Sequence, residues 1–276
     1  MKTLRFTIVV DNRAAEGLIA EHGYALHIET SAGNLLLDTG NKLAFVANAE
    51  ALGVNLQEVS ALVLSHGHYD HTGGIADILQ QNKDVEIYLH AGVFQPRYSL
   101  HGEDASIVKM PLAAMQAVMH HADEKVNWLT QPVSLQDRVG LTGPIPRECS
   151  FEDTGGSFYL DPAGKVIDTI EDDNALWFHG PEGLVICLGC CHAGIINTLN
   201  YIMDYSGERK IDTVIGGLHL LHADESRLTK TAEALNGLDL KRIVACHCSG
   251  DEAVQYLADH LSCEVVAGYA GMQFNI

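Results

Sequence analysis

Basic residues are scarce in this 276-residue sequence: Lys and Arg together number 17 against 36 Asp and Glu, never more than two in succession. Such a chain repels a phosphate backbone and lacks a cationic stripe to hold one, which argues against a nucleic-acid partner. Long apolar runs are missing too. None approaches the ~20 residues needed to cross a bilayer, so no membrane partner is expected. The opening Met1-Lys2-Thr3-Leu4-Arg5 passes into a β-like run without an apolar signal segment or cleavage site, and the expected compartment is the cytoplasm. Cysteine occurs seven times, an odd number that speaks against a disulfide framework and for reducing surroundings. A glycine-rich fingerprint for a flavin phosphate is also lacking. What remains is a chain 47% hydrophobic, ample for a large core and suited to a small-molecule substrate.

The densest chemistry lies in Ser65-His66-Gly67-His68-Tyr69-Asp70-His71, directly after the apolar run Ala61-Leu62-Val63-Leu64. Side chains alternate along an extended segment, so His66 and His68 project the same way from a strand end, while Asp70 and His71 follow as the chain turns into a helix. Imidazole and carboxylate suit zinc, manganese or iron, and four such donors are too many for one closed tetrahedral site that must also admit a substrate. Two divalent transition-metal ions are expected, zinc first among them.

Elsewhere Leu4 to Val10 reads as a strand, Tyr24 to Thr30 with Asn34 to Asp38 as a hairpin, and Lys42 to Leu52 as a helix. Ala25-Leu26 with Gly33-Asn34-Leu35-Leu36-Leu37 is echoed 150 residues later by Ala175-Leu176 with Gly183-Leu184-Val185-Ile186-Cys187, which suggests two halves of like topology in one domain, 1–276. Between the halves, about 91–173 holds six of the seven prolines and reads as a loop-rich insertion. Its Arg97 and Arg147 are candidates for substrate binding, because a guanidinium fork suits a phosphate or carboxylate.

The His66-x-His68-x-Asp70-His71 motif resembles the signature of the metallo-β-lactamase superfamily. With Val9-Val10-Asp11-Asn12, Gly17 to Gly23, Asp38-Thr39-Gly40, Gly143-Pro144-Ile145-Pro146-Arg147, Gly189 to Ile195 and Cys246-His247-Cys248-Ser249-Gly250, the chain is similar to its dihydropteroate-synthase-like branch. That branch is named after a methanopterin-pathway synthase. The resemblance implies an α/β fold, the αβ/βα four-layer sandwich, with metals at one edge. It implies His66, His68, Asp70 and His71 as ligands and Asp38 as a partner orienting a histidine, the other reading of Asp38 being a helix cap. It also places a ligand in Gly189 to Gly194, where His192 is preferred and Cys190, standing where many members have a bridging aspartate, is the alternative. Either His247 or His219 could close the second metal; His247 is favoured, with His219 facing substrate. A separate structural zinc site of Cys190, Cys191, Cys246 and Cys248 would lack paired Cys-x-x-Cys knuckles.

The chemistry expected is hydrolysis of a small phosphorylated or ester-containing metabolite, by hydroxide that a dinuclear site makes available near neutral pH. Asp70 would orient the nucleophile and His219 protonate the leaving group. Two other readings stand beside it: the pterin-transferring synthase that releases pyrophosphate, and a metal- and thiol-based redox or sensing module.

Overall fold

The computed structural model describes residues 4–102, 104–136 and 138–276; Met1-Lys2-Thr3, where no signal segment was expected, lies outside them. The first half contributes β1 (Arg5–Val10), β2 (Ala25–Thr30), β3 (Gly33–Leu37), β4 (Val59–Val63) and β5 (Glu86–Leu89), with helices α1 (Phe45–Ala51), α2 (Tyr69–Thr72) and α3 (Ile75–Gln81). The middle supplies β6 (Tyr98–His101), β7 (Asp104–Ile107), α4 (Leu112–Met119), β8 (Val126–Trp128), β9 (Val133–Gln136), β10 (Val139–Leu141) and β11 (Phe158–Tyr159). The second half carries β12 (Ala175–His179), β13 (Leu184–Leu188), α5 (Ile195–Ser206), β14 (Lys210–Gly217), α6 (Glu225–Asn236), β15 (Asp239–Cys246), α7 (Asp251–His260), β16 (Glu264–Ala267) and β17 (Gln273–Asn275).

These strands form two seven-stranded sheets, β17-β1-β2-β3-β4-β5-β8 and β16-β15-β14-β13-β12-β10-β9, and a small sheet β11-β6-β7. Side-chain alternation explains the layering. Leu35 and Leu37 of β3 join Phe6, Leu26 and Val63 against Phe178, Val185, Ile215 and Val244 of the second sheet, making the core between the sheets. Leu36 and Leu62 point the other way, onto Phe45 of α1 and Ile75 and Ile78 of α3. On the far side Ile186, Val214 and Ile243 pack on Leu199 of α5, Leu235 of α6 and Leu257 of α7. Strands covered on both faces must be apolar on both, which is why Leu184 to Leu188 reads as an unbroken apolar run. The result is the expected αβ/βα four-layer sandwich.

The internal echo is a structural one. Leu26 pairs with Leu37 in the first hairpin and Leu176 with Cys187 in the second, each partner 150 positions from its counterpart (26 and 176, 37 and 187). The stretch 91–173 holds loops and the short strands β6 to β11. It carries α4, extends the first sheet through β8, which pairs parallel to β5, and closes the edge of the second through β9 and β10. Only the small sheet stands apart. Three-residue strands such as β8 and β10 are too short to show a period in sequence.

Candidate metal centre

Strands β3 and β4 run parallel, as do β13, β14 and β15, so their C-terminal ends deliver Asp38, His66, Cys190, His219 and His247 toward one edge of the sandwich. Close approach of the two sheets there requires Gly189: a Cβ at that position would lie 2.0 Å from Ser65 Oγ and 3.0 Å from Asp38 Oδ2. Gly67 is equally constrained, since its Cβ would fall 2.3 Å from the Val93 carbonyl oxygen. Gly67→Ala is therefore expected to displace the His66 and His68 backbone and lower metal uptake, an outcome that equilibrium dialysis checks directly.

The donors lie in overlapping groups. Ligand atoms of His66, His68 and His192 are mutually within 4.8 Å, as are those of His66, His71 and Cys190, those of Cys190, His192 and His219, those of Cys190, His247 and Cys248, and those of His22, Asp70 and His247. Outer partners aim the rings. Asp38 Oδ2 accepts from His71 Nδ1 (2.7 Å) and from Ser65 Oγ (2.6 Å), and Ser65 Oγ is 2.9 Å from His66 Nδ1, so one carboxylate orients two imidazoles. Asp38 does not cap α1, whose N-cap is Ala44. His192 Nδ1 donates to the Thr154 carbonyl (2.8 Å). For His247, Asn12 Oδ1 lies 2.8 Å from Nδ1, Asn12 Nδ2 donates to the carbonyl, and Asp11 Oδ2 accepts from the amide. Asp38, His219 and His247 all have left-handed backbone (φ 60°, 48° and 48°), a conformation held only where surroundings over-determine it.

Metal ions fit these residues. The Nε2 atoms of His68 and His192 are buried without a hydrogen-bond partner among the described residues, beside a His66 Nε2 that lies 2.9 Å from His68 Nδ1, lone pairs that a cation would satisfy. Burial, with neighbouring charges, holds His66, His68 and His192 well below the usual imidazole range, so they present lone pairs rather than charge. Burial likewise brings His219 and His247 down to about 4. Burial works against ionised Asp70, but His71, His22 and His247 outweigh it and hold the carboxyl well below its ordinary value. His71 goes the other way: burial opposes its charge, yet Asp38 and Asp70 lift it to about 9, and a divalent ion at Nε2 would take the place of that proton.

The motif residues His66, His68, Asp70 and His71 meet His192, His247 and His219 at this edge. Both alternatives in the second half arrive: His192 beside His66 and His68, Cys190 with its Sγ 3.0 Å from His71 Nε2. The four-cysteine site does not form, because Cys191 packs under the outer helices and Cys246 between the sheets. The arginine expectation needs correction. Arg97 is buried, its side chain 1% exposed, and its fork is spent on Asp168 and Asp172; Asp172 Oδ2 in turn accepts from the Gly67 amide (2.8 Å). Arg147 donates to the carbonyls of His192, Thr169 and Ile170. Neither lines the cavity over the donors, a space of about 620 Å³ roofed by Leu100, Ser106 and Phe158. Sequence reasoning did not single out Asn12 or His22, although each lies within a stretch that carries the family resemblance; pairing across more than 200 residues, as for Asn12 and His247, leaves no local signal.

This sandwich with its histidine edge defines a class, and the chain belongs to it: the family profile described as the metallo-beta-lactamase superfamily matches residues 19–201. More particularly, the chain is 30% identical over 248 residues to 7,8-dihydropterin-6-methyl-4-(beta-D-ribofuranosyl)-aminobenzene-5'-phosphate synthase of Methanocaldococcus jannaschii, covering 85% of this chain and 83% of that enzyme. Among solved structures, Tm1679, a metal-dependent hydrolase of the beta-lactamase superfamily, superposes with a TM-score of 0.85 at 26% identity over 99% of both chains. A diphosphatase of the PhnP family shares the fold at a TM-score of 0.55 and 13% identity, covering 100% of this chain and 98% of its own. No helix among the described residues is long and apolar enough to cross a membrane.

Proposed function

We propose that the protein is a metal-dependent hydrolase of small phosphorylated or ester-containing metabolites, working with two divalent transition-metal ions, zinc first and manganese or iron as substitutes. The observation that carries this reading is the pair of donor groups that meet at His66, His71 and Cys190. His66, His68 and His192 would hold one ion; Asp70, His71 and His247, with the Cys190 thiolate, would hold the other. Bound there, such ions supply Lewis acidity and make water a nucleophile near neutral pH. The protein's own work is positional: Asp38 and Asn12 fix the imidazoles, Asp70 keeps a negative charge at the cavity floor, and the β6–β7–β11 roof limits access of bulk water. His219 lines the cavity and in this reading would protonate the leaving group with a proton taken from the attacking water, since burial keeps its own imidazole neutral near pH 7.

Metal analysis with a substrate screen tests this. Protein purified without chelators and offered zinc or manganese is expected to hold close to two ions per chain, and His68→Ala to hold fewer while keeping its fold, since the strands and not the metals build the core. A protein that never holds more than a fraction of one ion rules the reading out. A second reading, transfer of a pterin group with release of pyrophosphate, draws on the 30% identity to the Methanocaldococcus jannaschii synthase. Pyrophosphate formation that depends on an aromatic acceptor, with no turnover by water alone, would favour it.

A further inference from the structure

Asp70 Oδ2 has three imidazoles around it: His22 Nε2 at 3.1 Å, His247 Nε2 at 3.2 Å and His71 Nε2 at 3.9 Å. Two of these rings are buried, but the His22 side chain is 56% exposed and stands at the mouth of the cavity. We propose that His22 is a further donor to the second metal position, and that being exposed it is the donor a substrate oxygen displaces. This rests on the metal-dependent reading above.

The backbone on either side of His22 is held by the same residues that place the other donors. The Glu21 amide donates to the Asp11 carbonyl and the Gly23 amide to Asn12 Oδ1, so the loop is tied to the two residues that clamp His247. Glu21 accepts from the Asn41 and Ala44 amides. The Tyr24 amide donates to the Asp70 carbonyl, and Gly23 permits that approach, since a Cβ there would lie 2.5 Å from the same oxygen. An exposed histidine on so constrained a loop is aimed rather than loose. Its ring sits 4.8 Å from that of His247, and one donor atom each of His22, Asp70 and His247 fall within 4.8 Å of one another. A carboxylate oxygen ringed by imidazoles is completed by one divalent cation, which all of them can share without protons. The buried donors cannot leave without stranding a polar atom, whereas His22 can return to water at little cost. Among the described residues the imidazole beside His192 is His219, only partly exposed, so the two positions differ in how readily they open.

Cobalt(II) titration of the chelator-treated full chain tests the proposal, followed by equilibrium dialysis and by the visible bands, whose intensity reports coordination number. In His22→Ala the second equivalent is expected to bind more weakly and with more intense visible bands, the sign of one ligand fewer, while the first is unchanged; a partner that merely orients a ligand costs roughly 10- to 100-fold in affinity but leaves the band intensity, and so the coordination number, as it was. Inorganic phosphate added to the wild type should shift its bands toward those of His22→Ala. His22→Gln serves as a second variant that keeps polarity at the rim. Two equivalents in both proteins with identical affinities and spectra would overturn the role of His22 and leave the dinuclear reading standing. A wild type that binds fewer than two equivalents would overturn both.

Discussion

Asp70→Asn is expected to lower kcat by on the order of 1000-fold or more while leaving the apo protein folded, because the substitution removes the one negative charge that His22, His71 and His247 share. Several kcal/mol of charge stabilisation at a metal position correspond to a rate factor of that size. The second equivalent of metal should weaken by more than the roughly 10- to 100-fold that an outer partner costs, and the first, resting on His66, His68 and His192, should stay. Shape is nearly conserved, and the Asp70 backbone carbonyl still accepts from the Tyr24 amide, so the apo protein should still fold cooperatively, at a lower Tm because the carboxylate that the imidazoles stabilise is gone. Dialysis against zinc alongside steady-state kinetics on the best substrate from the screen checks both halves. Full activity with two bound ions would remove Asp70 from the site.

Arg97→Ala is expected to destabilise the fold by roughly 3–5 kcal/mol, because it strands the carboxylates of Asp168 and Asp172 in the interior without their cation. For a chain of this size that corresponds to a drop in Tm of about 10 °C. The damage should reach the metal edge too. Asp172 holds the Gly67 amide, and Asn174 donates through its side chain to the carbonyls of Leu64 and Ser65, so the segment that Arg97 anchors is the one that positions the histidine loop. Arg97→Lys keeps the charge but not the fork and should fall between. Differential scanning calorimetry of the metal-free variants decides the matter. If Arg97 instead gripped substrate, Arg97→Ala would leave Tm where it is and raise KM alone.

The two arginines illustrate why a residue's type does not reveal its place. An isolated arginine in an acidic chain suits a substrate anion and an interior carboxylate equally well, and only the fold decides which it meets. Here Arg97, just ahead of β6, turns its side chain inward onto Asp168 and Asp172, more than 70 positions away. Cys190 and His192 were alternatives in sequence for a similar reason. Two residues apart beyond the end of β13, they are both delivered to the edge, and it takes the curl of Gly189 to Gly194, with Cys191 at φ 61°, to send one toward His71 and the other toward His66.

By itself the sequence determined whatever local periodicity and dense motif chemistry encode: the apolar strands buried on both faces, the duplicated hairpin and the histidine loop after β4, while the four-layer sandwich followed from the family that the motif resembles. Only the tertiary structure decided which distant side chains share a carboxylate or face a lone pair, because those contacts join strand ends that lie side by side in space while separated by up to 236 positions in the chain, as in the hydrogen bond from the His247 amide to Asp11. Strand periodicity carries which face a residue takes, but the meeting of two sheet edges is set by the packing of the core between them.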